Sequence, residues 1–179
     1  PMVNVDGVWY FGGSPQGLQS EIWRTDGTEA GTYRIKSIRS SFSPGAIGQT
    51  LFNVDGELFF FADDGTHGNE LWKSDGTEAG TVMVKDVNPG ALSGVPAIFD
   101  RSQVAVVDDL LYFTASDQQS NWELWRSDGS VAGTFRVKEI RSGANGSFPQ
   151  YLTNVEGTLF FTAVDGTLGA LNGGSGVRP

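Results

Sequence analysis

One short motif recurs three times along this 179-residue chain, and it constrains the fold more than any other feature. Each copy has a glutamate, an aliphatic residue and a tryptophan, then a basic residue and a Thr/Ser-Asp-Gly turn. The copies begin at Glu21, Glu70 and Glu123. A spacing of about 50 residues is typical of an array of one supersecondary unit, which must stack on its neighbours to bury a core. The sequence therefore predicts a repeat protein.

Each repeat unit contains signals for four short strands, A to D. An upstream Val-Asp-Gly turn separates two apolar runs, and an Ala-Gly-Thr segment leads into a strand centred on a basic residue. In the second unit the strands are predicted at residues 49–54, 58–62, 70–74 and 82–86, because β-branched and aromatic runs cut by Asp-Gly turns are typical of hairpins. No segment has a sustained helical period, so the chain is predicted to be all-β.

The B strands indicate how the sheets are arranged. Residues 58–62 and 159–163 are apolar on both faces, whereas an antiparallel sheet with one wet face would alternate. Four-stranded antiparallel sheets covered on both sides and repeated about every 50 residues predict a β-propeller. We expect about three and a half blades over residues 1–169, and a linker-like tail over 170–179 that favours a piece of a longer chain. The predicted blades span about 1–40, 41–92, 93–143 and, as a half blade, 144–169.

The segment at residues 64–81 and its sister segments resemble the bacterial ELWxxDGT-repeat proteins. The resemblance covers nearly the whole chain, from about Val3 to Gly166. Three departures are the Asp108-Asp109 turn, Ile22 in place of leucine, and the loss of a fourth Glu-Leu-Trp. The resemblance implies a propeller-forming repeat of a large secreted or surface protein, and it implies no particular activity.

Composition excludes several functions. The net charge of −9 and the pI near 4.4 argue against nucleic acid and anionic membrane surfaces as partners. The absence of cysteine excludes a disulfide scaffold and thiolate chemistry. The sequence has no apolar run of about 18 residues and no signal peptide, so we expect no membrane insertion, and an export signal would lie outside this sequence.

Features present in every unit are expected to build the unit, because an active site is needed only once. The tryptophans are predicted to pack between blades, with a ring of sugar-stacking platforms as the alternative: Trp23, Trp72 and Trp125. The turn aspartates are predicted to cap the C–D turns: Asp26, Asp75 and Asp128. The motif glutamates are predicted to pair with basic residues of strand D, and no carboxylate is expected in an apolar setting that would raise its pKa.

A calcium site is one hypothesis for the B–C loop of the second unit. Asp63, Asp64 and Glu70 supply carboxylates along a glycine-containing loop, which is the oxygen-rich chemistry that hard cations prefer. The loop lacks the EF-hand pattern, and a polar loop without metal is the alternative.

Irregular loops are the better candidates for ligand binding, since binding residues concentrate on loops held by a rigid scaffold. In an A–D unit the B–C loops and the D-to-A crossovers share one end. The candidate ligand-binding residues at that end are Arg39, His67, Asn88, Gln118, Trp122 and Arg141. His67, the only histidine, has no nucleophile predicted beside it, and a solvated loop position is the alternative. Trp122 is the only aromatic that directly precedes a motif glutamate, and extra packing is its alternative role.

These observations predict a non-catalytic, secreted or cell-surface module for recognition or adhesion that binds glycan or protein. A structural spacer or assembly element of a larger surface protein is the alternative, and a polysaccharide-active propeller enzyme is a third. Self-association that closes the ring is a further candidate interaction.

Overall fold

The computed structural model describes residues 2–13, 20–39, 47–96, 101–117, 121–143 and 145–166, with backbone alone at 20 and 47–50. Within these residues the chain is all-β, as predicted, with a single 3-10 turn at Arg101–Gln103. No helix in this part of the chain is long and apolar enough to cross a membrane. The strands are β1 Met2–Val5, β2 Val8–Gly13, β3 Ser20–Thr25, β4 Tyr33–Arg39, β5 Ile47–Val54, β6 Glu57–Asp63, β7 Asn69–Ser74, β8 Val82–Lys85, β9 Val104–Val107, β10 Leu110–Ala115, β11 Glu123–Ser127, β12 Phe135–Lys138, β13 Gln150–Val155 and β14 Thr158–Thr162.

The strands form antiparallel sheets in simple chain order. The first three sheets each have four strands, β1–β4, β5–β8 and β9–β12, and β13 pairs with β14 in a fourth. The prediction of four strands to a unit is therefore confirmed, and in the second unit each predicted boundary lies within two residues of the observed one. The elements stop where the Asp-Gly turns were expected.

The turns explain why the same residues recur. In the A–B turns Asp55 and Gly56 have φ of 48° and 76°, the consecutive positive values of a tight hairpin turn. In the C–D turns Asp75 Oδ1 accepts hydrogen bonds from Thr77 N at 2.9 Å and Thr77 Oγ1 at 2.8 Å. A Cβ on Gly80 would lie 2.1 Å from that carboxylate, so only glycine fits there. Asp26 and Asp128 make the same bonds, and these bonds lower the pKa of all three carboxyl groups.

Successive sheets pack face to face. We call the face with the motif tryptophan the front face of a sheet, and the opposite face its back face. In each of three interfaces the front face of one sheet forms an apolar cluster with the back face of the sheet before it. The front-face residues are Leu58, Phe60 and Trp72 in the second sheet, Leu111, Phe113 and Trp125 in the third, and Leu159 and Phe161 in the fourth. The back-face residues include Tyr10 and Ile22 in the first sheet, Phe59 and Leu71 in the second, and Tyr112 and Leu124 in the third.

The two ends of the stack depart from the predicted pattern. Trp72 and Trp125 are buried between sheets, but Trp23 lies on the front face of the first sheet and is only partly buried. Its ring stacks on Phe11 at 6.5 Å, and its Nε1 donates to Glu21 at 3.0 Å. At the other end Phe160 is 42% exposed, although its strand was predicted to be covered on both faces. That prediction is wrong for Phe160 because none of the described sheets lies over the back face of the fourth.

Candidate functional site

The B–C loops and the D-to-A crossovers meet at one end of the sheets, which we call the loop end. In the second unit Val95 N donates to Asn69 O at 3.1 Å, which ties the crossover to the start of β7. In the third unit Ser147 N and Phe148 N both donate to Trp122 O, at 2.8 and 3.0 Å. In the described residues of these two units the crossover therefore lies against the B–C loop, as expected from the strand order.

Arg39 and Arg141 occupy equivalent positions near the ends of the first and third units, and each reaches the B–C loop of the following sheet. Arg39 pairs with Asp63, and its guanidinium lies 3.2 Å from where a Cβ on Gly65 would stand. Arg141 lies 3.3 Å from the corresponding point on Gly166. Both arginines thus contact the next sheet, and this contact accounts for their position without a ligand.

His67 forms a compact pair with Asp64 within the B–C loop. His67 Nδ1 lies 2.7 Å from Asp64 Oδ2, while the backbone N–H groups of Thr66 and His67 donate to Asp64 Oδ1. Burial alone would raise the pKa of Asp64, but the bonds from His67 and Thr66 outweigh it and lower that pKa. The bond to Asp64 in turn raises the pKa of His67. This pair stabilises the loop chiefly when the imidazole is protonated.

The pair makes a prediction that a single titration tests. Because this chain has only one histidine, its imidazole signals in a proton NMR spectrum are unambiguous. We expect His67 to titrate above its ordinary pKa of about 6.5, and Asp64→Asn to bring the midpoint back down. Asp55→Asn, an exposed aspartate in an A–B turn, should leave the midpoint unchanged. A wild-type midpoint at or below the ordinary value would contradict the observed geometry.

All three motif glutamates lie inside the protein, Glu21 at 2% exposure, which corrects the sequence interpretation. Glu70 and Glu123 are both 0% exposed, in the strands predicted to hold no buried carboxylate. Glu70 accepts backbone N–H bonds from Val87 at 3.0 Å and Gly94 at 2.6 Å. Burial raises the pKa of Glu70 to about 8, against the opposing effect of those backbone bonds.

Glu123 has the equivalent role in the third unit. It accepts from the backbone of Ile140 and Arg141 and from the hydroxyl of Ser147. Both glutamates therefore bond the crossover that leads to the next sheet. The predicted pairing with a strand-D base is correct only for Glu21, which lies 2.7 Å from Arg34. For Glu70 and Glu123 it is wrong, since backbone amides and a hydroxyl take the place of the base.

The three carboxylates proposed for calcium have different partners. Asp63 pairs with Arg39, Asp64 binds the His67 ring and loop amides, and Glu70 is turned into the core. Among the described residues no group of three or more His, Asp or Glu side chains is placed to hold a metal ion. The structure does not bring these carboxylates together, and calcium binding stays a prediction.

The remaining predicted ligand-binding residues differ in how much of the side chain is exposed. Asn88 is 8% exposed and donates to Ser93 O at 3.3 Å, so it shapes its own crossover. Gln118 lies outside the described residues. Trp122 is partly exposed, and its backbone rather than its ring anchors the next crossover.

Two further aromatic residues at the loop end were missed by the sequence interpretation. Phe148 is 45% exposed in the crossover that bonds Trp122 O, and Tyr151 is 65% exposed at the start of β13. Both have positive φ, 49° and 58°, which is uncommon and strained for bulky residues. We call Trp122, Phe148 and Tyr151 the aromatic patch. Tyr151 lies within the register shift between Gln150 and Thr153, and no glycine or turn motif at Phe148 or Tyr151 signals the positive φ values.

An acidic cavity of about 320 Å³ lies at the opposite end, between the second and third sheets. Its polar lining consists of Asp55, Glu57, Asp109 and Asp128. Glu57 is neutralised by Lys73 at 3.1 Å. The remaining negative charge disfavours anionic ligands there.

Comparison with known proteins supports the fold alone. No protein-family model matches the chain, and no curated protein matches it. Among solved structures, the crystal structure of a puromycin hydrolase mutant complexed with PGG is similar with a TM-score of 0.54 and 16% identity. The match covers 87% of this chain but 23% of that one, so the chain spans less than a quarter of the hydrolase's length.

Proposed function

We propose that the chain is a non-catalytic recognition module of a secreted or cell-surface bacterial protein, and that its stacked sheets are blades of an ELWxxDGT-type β-propeller. Three successive interfaces with equivalent front-face and back-face residues support the propeller, because blades around an axis repeat one contact. The net charge of −9 suits a soluble surface module.

The ligand that best fits the loop end is a glycan bound on the aromatic patch. The observation that supports this most is the exposure of Phe148 and Tyr151, at 45% and 65%, together with a partly exposed Trp122 whose carbonyl accepts from Phe148 N. Aromatic rings give large, rigid contact areas with a polar tip, and tyrosine and tryptophan are enriched where proteins bind partners. Strained backbone is retained at positions that the surrounding structure holds in place, and such positions cluster at binding sites.

The buried carboxylates fit a structural role better than catalysis. Glu70 and Glu123 are fully buried and bonded by crossover amides, so neither offers an oxygen to a substrate. His67 Nδ1 is bonded to Asp64 within the same loop, and that bond gives the pair a structural role. The module is therefore proposed to bind its ligand without transforming it.

A glycan array with purified protein tests the proposal. Tyr151→Ala and Trp122→Ala are each expected to weaken binding by about ten-fold or more, since an aromatic anchor contributes about 1.4 kcal/mol or more at a binding hot spot. The melting temperature should stay within about two degrees of wild type, because surface substitutions change stability little. Val131→Ala is the matched control, as Val131 is 65% exposed in a C–D turn away from the loop end.

The array is run in calcium and in EDTA. Loss of binding in EDTA would show that a bound cation is required, as the calcium prediction expects, while equal binding would exclude a metal requirement. Turnover on a polysaccharide panel would contradict the non-catalytic proposal. A blank array with folded protein would overturn glycan binding.

A structural spacer or assembly module is the second candidate function. The observation that favours it is the pair of exposed apolar faces at the two ends of the stack, with Trp9 at 45% exposure on one and Phe160 at 42% on the other. Repeat arrays add units through such faces.

A further inference from the structure

The front face of the first sheet exposes large apolar residues at positions that are buried in every later sheet. Trp9 is 45% exposed, whereas its equivalent Leu58 in the second sheet is fully buried. Met2 is 53% exposed, and its equivalent Leu51 is 3% exposed. The equivalents in the third and fourth sheets are buried as well: Leu111, Leu159, Val104 and Leu152. Together with Phe11 and Trp23, these residues form an uncovered apolar surface.

The back face of the fourth sheet is also uncovered, and it exposes apolar residues whose equivalents in the second sheet are buried. Phe160 is 42% exposed, whereas the equivalent Phe59 is 1% exposed. Val155 is 48% exposed, and the equivalent Val54 is 3% exposed. Each internal interface joins one front face to one back face, so the described sheets expose one front face and one back face of the repeated contact.

We propose that the front face of the first sheet binds the back face of the β13–β14 sheet of a second copy of this chain. The occupant follows from the internal interfaces, in which the same two kinds of face meet three times. Such a head-to-tail contact is heterologous, so it builds a ring when the rotation closes and a filament when it does not. Exposed apolar patches of this kind mark interaction surfaces.

Asparagine side chains at the edge of two of the internal interfaces donate to a carbonyl of the sheet before, and the uncovered front face has an equivalent asparagine. Within the chain Asn53 Nδ2 donates to Asn4 O at 3.1 Å, and Asn154 Nδ2 donates to Val106 O at 3.0 Å. Asn4 is the equivalent of Asn53 on the uncovered front face, and its Oδ1 accepts from Gly7 N as that of Asn53 does from Gly56 N. Its amide is therefore oriented for the equivalent acceptor in a second copy, the carbonyl of Asn154.

The assembly state of the full chain in solution tests this proposal. Light scattering and sedimentation velocity over a wide concentration range should show concentration-dependent assembly of the wild type. Trp9→Glu and Phe160→Glu should each weaken it by at least about 30-fold, because a charge replaces a central aromatic contact. Val131→Glu, on an exposed turn, should assemble as the wild type does.

Mixing the two defective variants tests whether the contact joins a front face to a back face. Trp9→Glu retains an intact back face and Phe160→Glu an intact front face, so the mixture should form a one-to-one complex that neither variant forms alone. Circular dichroism and the melting temperature of each variant confirm folding. A wild type that stays monomeric at every concentration would overturn the proposal. Full self-association of Phe160→Glu would overturn it too, since that result requires front faces to meet each other.

Discussion

Replacing Glu70 with alanine is expected to lower the free energy of unfolding by about 3 kcal/mol or more, measured by urea denaturation. The side chain is 0% exposed and accepts the backbone N–H groups of Val87 and Gly94. Removing it leaves both buried donors without an acceptor, and each such group costs about 1–3 kcal/mol. Glu78→Ala, at an exposed turn glutamate of the same unit, should change stability by less than about 0.5 kcal/mol.

The pH dependence of the same measurement identifies the cause. Burial raises the pKa of Glu70 from its ordinary value near 4.5 to about 8 in the folded protein. Between those two values the unfolded chain has lost this proton while the folded chain keeps it. The Glu70 contribution to stability is therefore fully present below about pH 4.5 and falls as pH rises to about 8, by up to about 1.4 kcal/mol per pH unit.

Glu70→Gln has no titrating group at this position, so it isolates the contribution of the Glu70 carboxyl group to the pH dependence of stability. It keeps one carbonyl oxygen as an acceptor, so we expect it to cost less than alanine. The difference between the wild-type and Glu70→Gln unfolding free energies should shrink or change sign as pH rises from 4.5 to 8, because contributions of the other groups cancel. A difference that does not vary with pH would show that the carboxyl group has no raised pKa.

Glu70 also shows where sequence reasoning ends. The repeat, the strand boundaries and the turn aspartates such as Asp75 were predictable, because their signals are local: an apolar run, then residues that favour a specific turn. The acceptor role of Glu70 depends on crossover amides at Val87 and Gly94, and every backbone has amides whatever its sequence. A motif glutamate near basic strands suggested an ion pair, and the structure has one only at Glu21.

The loop end was predictable as a region but not in detail. Arg39, His67 and Asn88 do lie there, yet each already bonds a neighbouring group of the protein. Phe148 and Tyr151 have exposed rings and positive φ values, and a sequence signals such φ values only when glycine or asparagine is present. Burial of a ring likewise depends on whether another sheet covers it, and a repeat motif is the same in covered and uncovered copies.

Phe59→Ala is expected to destabilise the protein by about 3–5 kcal/mol, while the equivalent Phe160→Ala should cost less than about 1.5 kcal/mol. The two phenylalanines occupy the same position in the repeat, and they differ in exposure, 1% against 42%. Phe59 packs in the cluster between the second and third sheets, so its removal leaves a cavity that rigid strands cannot fill. Urea denaturation of both variants at low protein concentration gives the comparison.

Comparing Phe59→Ala with Phe160→Ala also tests the proposed assembly. If a second copy covers the back face of the fourth sheet, the cost of Phe160→Ala must grow with protein concentration, because binding to the folded state alone adds stability by mass action. The cost of Phe59→Ala has no such dependence on its own interface, which lies within one chain. A Phe160→Ala cost equal to that of Phe59→Ala even at high dilution would contradict the uncovered back face. A small cost that rises with concentration would instead place the fourth repeated interface between copies.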